Sequence, residues 1–145
     1  MPFQELKPFE LYKILQLRLE VFVIEQACIF QDMDDQDQAC HHLMGWDGEL
    51  LIAGTRILPK GLAYSDFPSI GRVLNKATHR GAGLGKELME RSIAICIELH
   101  GDVGIKIGAQ LYLKKFYESL GFVAIGEIYD EDGIDHIKMI RVASK

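Results

Sequence analysis

The stretch that most constrains this chain is Val73–Lys86, VLNKATHRGAGLGK. A short apolar run leads into three alternating glycines, and from them into an amphipathic segment that continues to Leu99. That order implies a strand, a tight loop and a helix N-terminus. Glycine lets the backbone take positive φ or come close to a ligand. The free N–H groups and positive dipole end of the following helix attract an anion. A phosphate-bearing ligand is therefore expected, and two common phosphate loops fail by position. A nucleotide P-loop needs Gly, four residues, then Gly-Lys-Ser/Thr. Here Gly85-Lys86 is followed by Glu87, and Arg80 holds the leading position. A dinucleotide fingerprint needs a third glycine three residues after the second, and Lys86 stands there.

The helix after the glycines is the best-patterned segment. Leu84, Leu88, Met89, Ile93, Ile95, Cys96 and Leu99 form its apolar face, with Glu87, Glu90, Arg91 and Glu98 opposite. Cys96 falls in the buried stripe and reads as packing. Gly101 ends the helix, and Val103–Ile107 alternates as a strand. Gly108–Phe122 reads as a short helix with a glycine stop, its Leu113, Phe116, Tyr117 and Leu120 on one face. Upstream, Phe3–Leu6 reads as a short strand, and Pro8 opens a helix whose stripe is Leu11, Ile14, Leu15, Leu19 and Phe22. Arg18 shares that stripe, so Glu25 or a following aspartate must meet it. Leu43–Trp46 and Leu50–Leu58 flank Asp47-Gly48 as a hairpin, and Ile70–Leu74 restarts an extended run. Val123–Tyr129 and Ile134–Arg141 form a last hairpin. The order α, ββ, β, α, β, α, ββ gives an α+β fold, a central mixed, mostly antiparallel sheet with helices on both faces.

With 145 residues, of which 48% are hydrophobic and 26% charged, the chain suits a single domain spanning 1–145. No apolar run nears the roughly 20 residues of a membrane helix, and MPFQELKPFE lacks the pattern of a signal segment. Cys28, Cys40 and Cys96 are too few and too scattered for a disulfide framework. A soluble cytoplasmic protein with no membrane partner is expected. A net charge of −5 argues against nucleic acid and leans towards a cationic partner. An exposed strand edge leaves room for a homodimer. Asp32, Asp34, Asp35 and Asp37 form an acidic loop without the glycine and glutamate of a calcium loop, expected as a solvated loop, with a wall for a cationic substrate as the alternative. Cys40-His41-His42 lacks a second ligand pair for zinc, so no metal is expected.

Arg80-Gly81-Ala82-Gly83-Leu84-Gly85 fits Arg/Gln-x-x-Gly-x-Gly/Ala and resembles the coenzyme A pyrophosphate loop of the GNAT acetyltransferases. Gln110 followed by Phe116-Tyr117-Glu118-Ser119-Leu120-Gly121-Phe122 resembles that family's second coenzyme motif. Arg18–Gln26, the acidic loop, Ala53–Leu58, Ile70–Val73 and Tyr129–Ile134 with His136 resemble its ElaA-type branch. Where many relatives carry Val-x-Pro, this chain reads Asn75-Lys76-Ala77, and Asp135 replaces a proline before His136.

The resemblance implies the GNAT acyl-CoA N-acyltransferase fold and acetyl-CoA as co-substrate. Arg80, Gly81, Ala82, Gly83, Leu84, Gly85 and Lys86 would hold the pyrophosphate, with Leu74, Asn75 and Gln110 along the rest of the coenzyme. It also implies direct attack by a primary amine of a small molecule or peptide through a tetrahedral intermediate, with Tyr117 as general acid to the departing thiolate. His136 is the first candidate for the base, ahead of Glu25, Glu127, Asp130 or a water chain. A longer acyl group, or a coenzyme A sensor without catalysis, are the alternatives. Arg18, Arg56 and Arg72 read as structural ion-pair partners, with binding of an acceptor carboxylate as the alternative.

Overall fold

Glu10 accepts the Lys7 backbone N–H at 2.8 Å, and Pro8 stands where a missing N–H costs nothing, so a helix starts here. In the computed structural model, which describes residues 1–143, this helix α1 spans Pro8–Arg18 and continues as a π-helical turn, Leu19–Glu25. It buries Ile14, Leu17, Arg18 and Val21, while Leu19 stays half exposed, so the buried stripe lies one position round from the one its spacing suggested. Phe3–Leu6 is not a strand. Phe3–Glu5 form a 3₁₀ turn, and only a bridge from Pro2 to His41 joins this segment to the sheet.

Three strands follow: β1 (His41–Asp47), β2 (Leu50–Leu58) and β3 (Ser69–Asn75), paired antiparallel in that order. A bulge between Gly54 and Arg56 puts Arg72 in the left-handed region, at φ 48°. Helix α2 (Leu84–His100) then crosses to β4 (Ile105–Gln110), which starts and ends later than its alternation suggested. A 3₁₀ turn and the short α3 (Lys114–Glu118) lead to β5 (Phe122–Glu131) and β6 (Ile134–Arg141). These strands form a second antiparallel sheet, ordered β4-β6-β5.

The α+β class and helices on both faces hold, but the sheet is divided. Near their starts β3 and β4 meet, where the Lys106 N–H donates to the Pro68 carbonyl at 3.1 Å. No ladder joins them beyond that point among the described residues. Helix α2 closes the join from one side. Its Met89, Ile93 and Cys96 pack with Ile57 and Ile70 of the first sheet and Ile105, Ile107, Phe122, Ile137 and Met139 of the second. Burial pushes the Cys96 thiol up to about 11, as suits a packing residue. On the other face Ile14, Leu17 and Val21 pack against Leu51 and Leu74.

Candidate active site

A cleft of about 780 Å³ opens where β3 and β4 separate, lined by residues of both strands, the π-helical turn, α3 and the last hairpin. Leu74, Asn75, Arg80, Gly85, Gln110, Tyr117 and His136 all line it. Gly81, Ala82, Gly83 and Lys86 lie exposed at its mouth, outside the lining, with Leu84 half buried in the first turn of α2.

Two glycines of the loop are needed for different reasons. Gly83 is the residue before α2 and has φ 75°, which other residues rarely adopt, although a Cβ there would meet nothing. Gly85 has ordinary backbone, but a Cβ would stand 3.1 Å from the Asn75 Nδ2. No side chain caps this end of α2, so its first N–H groups are free for an anion. Asn75 also brings a buried Oδ1 without a hydrogen-bond partner to the same corner.

Arg80 is held by protein. Its Nη1 and Nη2 pair with both Glu25 carboxylate oxygens, while Nε and Nη2 donate to the Asn75 carbonyl at 3.1 and 2.8 Å. Glu25 keeps the Arg80 charge fixed, pushing its pKa up. Lys76 meets Glu20 at 2.9 Å. Glu20 and Glu25 are five apart, the spacing that a π-helical turn brings to one side.

Tyr117 is buried, packed edge-on against Phe116 and Phe122, and its hydroxyl makes no hydrogen bond among the described residues. Burial, with Tyr112 nearby, pushes its pKa up to about 12, so the phenol stays protonated at neutral pH. Gln110 exchanges amide hydrogen bonds with Gln26 across the cleft, at 3.4 and 3.3 Å. The His136 Nδ1 lies 2.7 Å from the Ile134 carbonyl, which can only accept, so Nδ1 carries the proton and Nε2 faces Glu131 at 3.3 Å. Sequence reading missed Glu131. The antiparallel hairpin, by pairing Tyr129 with His136 and Glu131 with Ile134, brings it alongside His136. Of the other base candidates, Asp130 instead accepts the Gly133 N–H at 3.3 Å, and Glu127 is exposed outside the lining.

Of the acidic loop's aspartates only Asp35 is left exposed without an ion pair among the described residues, and Asp32, Asp34 and Asp37 are neither simply solvated nor a wall for a cation. Their carboxylates close a ring of ion pairs with three arginines: Arg72–Asp32–Arg18–Asp37–Arg56–Asp34 and back to Arg72, at 2.7, 2.7, 2.8, 2.8, 2.6 and 3.5 Å. Hydrogen bonds from Arg56 hold Asp34 well below the usual carboxylate range. Burial pushes Asp37 up, but hydrogen bonds from Arg18 and Arg56 outweigh it and hold it low. The predicted ion-pair role of the three arginines is thus met, with Asp32 and Asp37 rather than Glu25 opposite Arg18. Cys28 is buried, its thiol donating to the Asp132 carbonyl at 3.0 Å, which ties this loop to the last hairpin. Among the described residues no group of three or more His, Cys, Asp or Glu side chains converges as metal ligands would.

A family model described as an acetyltransferase (GNAT) domain matches residues 13–142. The chain belongs to the GNAT acetyltransferase family. It is 41% identical over 139 residues to protein ElaA of Escherichia coli K12, covering 94% of this chain and 90% of that protein. The crystal structure of an acyl-CoA N-acyltransferase from Pseudomonas aeruginosa superposes with a TM-score of 0.89 at 41% identity, covering 96% of this chain and 94% of the other. That of Escherichia coli ElaA gives 0.90 at 38%, covering 97% and 96%. The fold is thus that of the GNAT acyl-CoA N-acyltransferases, and the family's chemistry is acyl transfer from coenzyme A. No helix among the described residues is long and apolar enough to cross a membrane.

Proposed function

We propose that this chain transfers an acetyl group from acetyl-coenzyme A to a primary amine, with Tyr117 as general acid and His136 as general base. The observation that carries the reading is that one cleft, between parted strands, collects Arg80 and Gly85 of the glycine loop with Gln110, Tyr117 and His136. The corner fits the donor by its own chemistry. The free N–H groups at the start of α2 suit a pyrophosphate, and the orphaned Asn75 Oδ1 suits an amide N–H such as pantetheine carries.

Strand alternation supplies one further donor. The Lys76 N–H donates to Ile52 at 2.7 Å, so alternate pairing directs the Leu74 N–H to β2 as well and turns that of Asn75 towards the gap. A donor of this kind at a developing oxyanion is worth about 3 kcal/mol. The acceptor nitrogen bonds to the acyl carbon to give a tetrahedral intermediate, and its collapse breaks the carbon–sulfur bond. His136 takes the amine proton at Nε2, with Glu131 steadying the imidazolium, and the Tyr117 hydroxyl protonates the departing sulfur. Both side chains are restored by proton exchange with water.

Thiol release from acetyl-coenzyme A with a panel of amines tests this. Tyr117→Phe should lower kcat roughly 100-fold while the KM for acetyl-coenzyme A stays nearly unchanged. Equal turnover in the two proteins removes Tyr117 as the acid. Tight coenzyme A binding with no turnover on any amine makes the protein a sensor.

A further inference from the structure

One cluster beside the cleft has no part in the transfer just described. Alternation puts Lys106 and Gly108 of β4 on one face with His136 and Lys138 of β6, where Gly108 pairs with Lys138 and Gln110 with His136. Tyr129 of β5 and Tyr64, from the loop before β3, lie over this face. The Lys138 Nζ is 4.5 Å from the Tyr129 ring centroid and 5.2 Å from that of Tyr64, while the Lys106 Nζ is 4.9 Å from Tyr64. The two hydroxyls converge over Gly108, since a Cβ there would stand 2.7 Å from one and 3.3 Å from the other. Neither has a hydrogen-bond partner among the described residues, and both reach solvent. Gly108 itself lines the cleft.

We infer that this cluster receives the acceptor's anionic group, so that the favoured substrate is a small amine carrying a carboxylate. Lys138 and the Tyr64 and Tyr129 hydroxyls hold the carboxylate, and the amino group lies at the His136–Glu131 pair. The assignment rests on the acetyl-transfer reading above and adds the acceptor's class to it.

The charges decide the sign. Lys138 has no carboxylate partner among the described residues, and Lys106 has only a distant one, Asp66 at 3.9 Å. Ring faces hold an ammonium in place without neutralising it. Asp32, Asp34 and Asp37 of the acidic loop are committed to their arginines, and the carboxylate beside His136 is that of Glu131. Burial pushes Tyr64 up to about 12 and also raises Tyr129, so both hydroxyls are donors at neutral pH. One unpaired ammonium and two neutral donors match a monoanion. His136 and Lys138 are two residues apart on a strand, roughly 7 Å, which suits an amine and a carboxylate separated by several bonds.

The test uses matched acceptors that differ in the anionic group: 4-aminobutyrate against butylamine, lysine against cadaverine, and O-phosphoethanolamine as a phosphate-bearing amine. In at least one pair the carboxylate member should exceed its twin in kcat/KM by about tenfold, the worth of one charge-assisted hydrogen bond. Lys138→Met, which keeps the stem over the rings, should erase that advantage through KM and leave the carboxylate-free twin nearly unchanged. Tyr129→Phe should erase part of it. Twins that react equally in every pair, a preference for the phosphate-bearing amine, or an advantage that survives Lys138→Met overturns the inference. Calorimetry of the same amines on protein saturated with coenzyme A reads the site without catalysis. Carboxylate-dependent binding lost in Lys138→Met supports the anion site even where turnover is absent and the transfer reading fails, and no such binding overturns it.

Discussion

Glu25 sets a negative charge against the loop proposed to hold the donor's phosphates, and it does so by gripping Arg80 with both carboxylate oxygens. The pair is more than a third exposed on each side, so its worth is small, within about 1 kcal/mol. Its effect on ligand binding is a matter of sign. In Glu25→Gln the amide oxygen can still accept one of the two hydrogen bonds from Arg80 while the repelling charge is gone. Coenzyme A should then bind up to about fivefold more tightly at low salt, and the gain should shrink in 0.5 M salt as screening takes over, at a Debye length of about 4 Å. Titration calorimetry at two salt concentrations checks this, and weaker binding in the variant would mean that Glu25 positions Arg80 for the ligand. At this scale the sequence was a partial guide. Arg18 on an apolar stripe announced a buried carboxylate partner, because a lone guanidinium there is untenable. Glu131 beside His136, and Tyr64 over Gly108, gave no such signal, since each reaches its place through pairing or a loop path that residue spacing does not encode.

The glycine loop and α2 work as one element, and their roles can be separated by substitution. Gly83→Val forces a β-branched residue into φ 75° at the helix N-terminus, a strain of roughly 1–3 kcal/mol. Leu88, Met89, Ile93 and Cys96 anchor the rest of the helix in the core and should keep it folded. Coenzyme A affinity should fall by more than about tenfold, with the circular dichroism spectrum unchanged. Retained affinity contradicts the pyrophosphate assignment. This element was legible from its letters because periodicity, a glycine start and a glycine stop all agree over its length. The π-helical turn was not. A five-residue repeat has no compositional signature, and within α1 the apolar letters set the stripe one position off, which put Leu19 in the core, where it does not lie.

Across the whole molecule, the ring of six charges joins α1, the loop after it, β2 and β3. Asp37 stands between Arg18 and Arg56, both buried. Asp37→Asn leaves these two guanidinium groups short of one charge and should cost roughly 3 kcal/mol or more, read from urea unfolding. Asp34 and Asp37 are both held low in the folded protein, so their contribution is complete above the ordinary carboxylate pKa near ~4. It drains away as pH falls below that value towards the folded ones. Urea midpoints should therefore fall steeply below about pH 4 in the wild type and less steeply in Asp37→Asn. The division of the sheet has a consequence for self-association. Unpaired strand edges invite other chains, yet the outer ones here are guarded. The N-terminal segment lies along β1, with the His42 N–H donating to the Met1 carbonyl at 2.7 Å. The β5 edge is broken by an irregularity after Ile125, with Gly126 at φ 72°. The facing edges of β3 and β4 are unmated beyond their join and line the cleft, so the molecule turns inward the kind of edge that would otherwise make a protein stick to its neighbours.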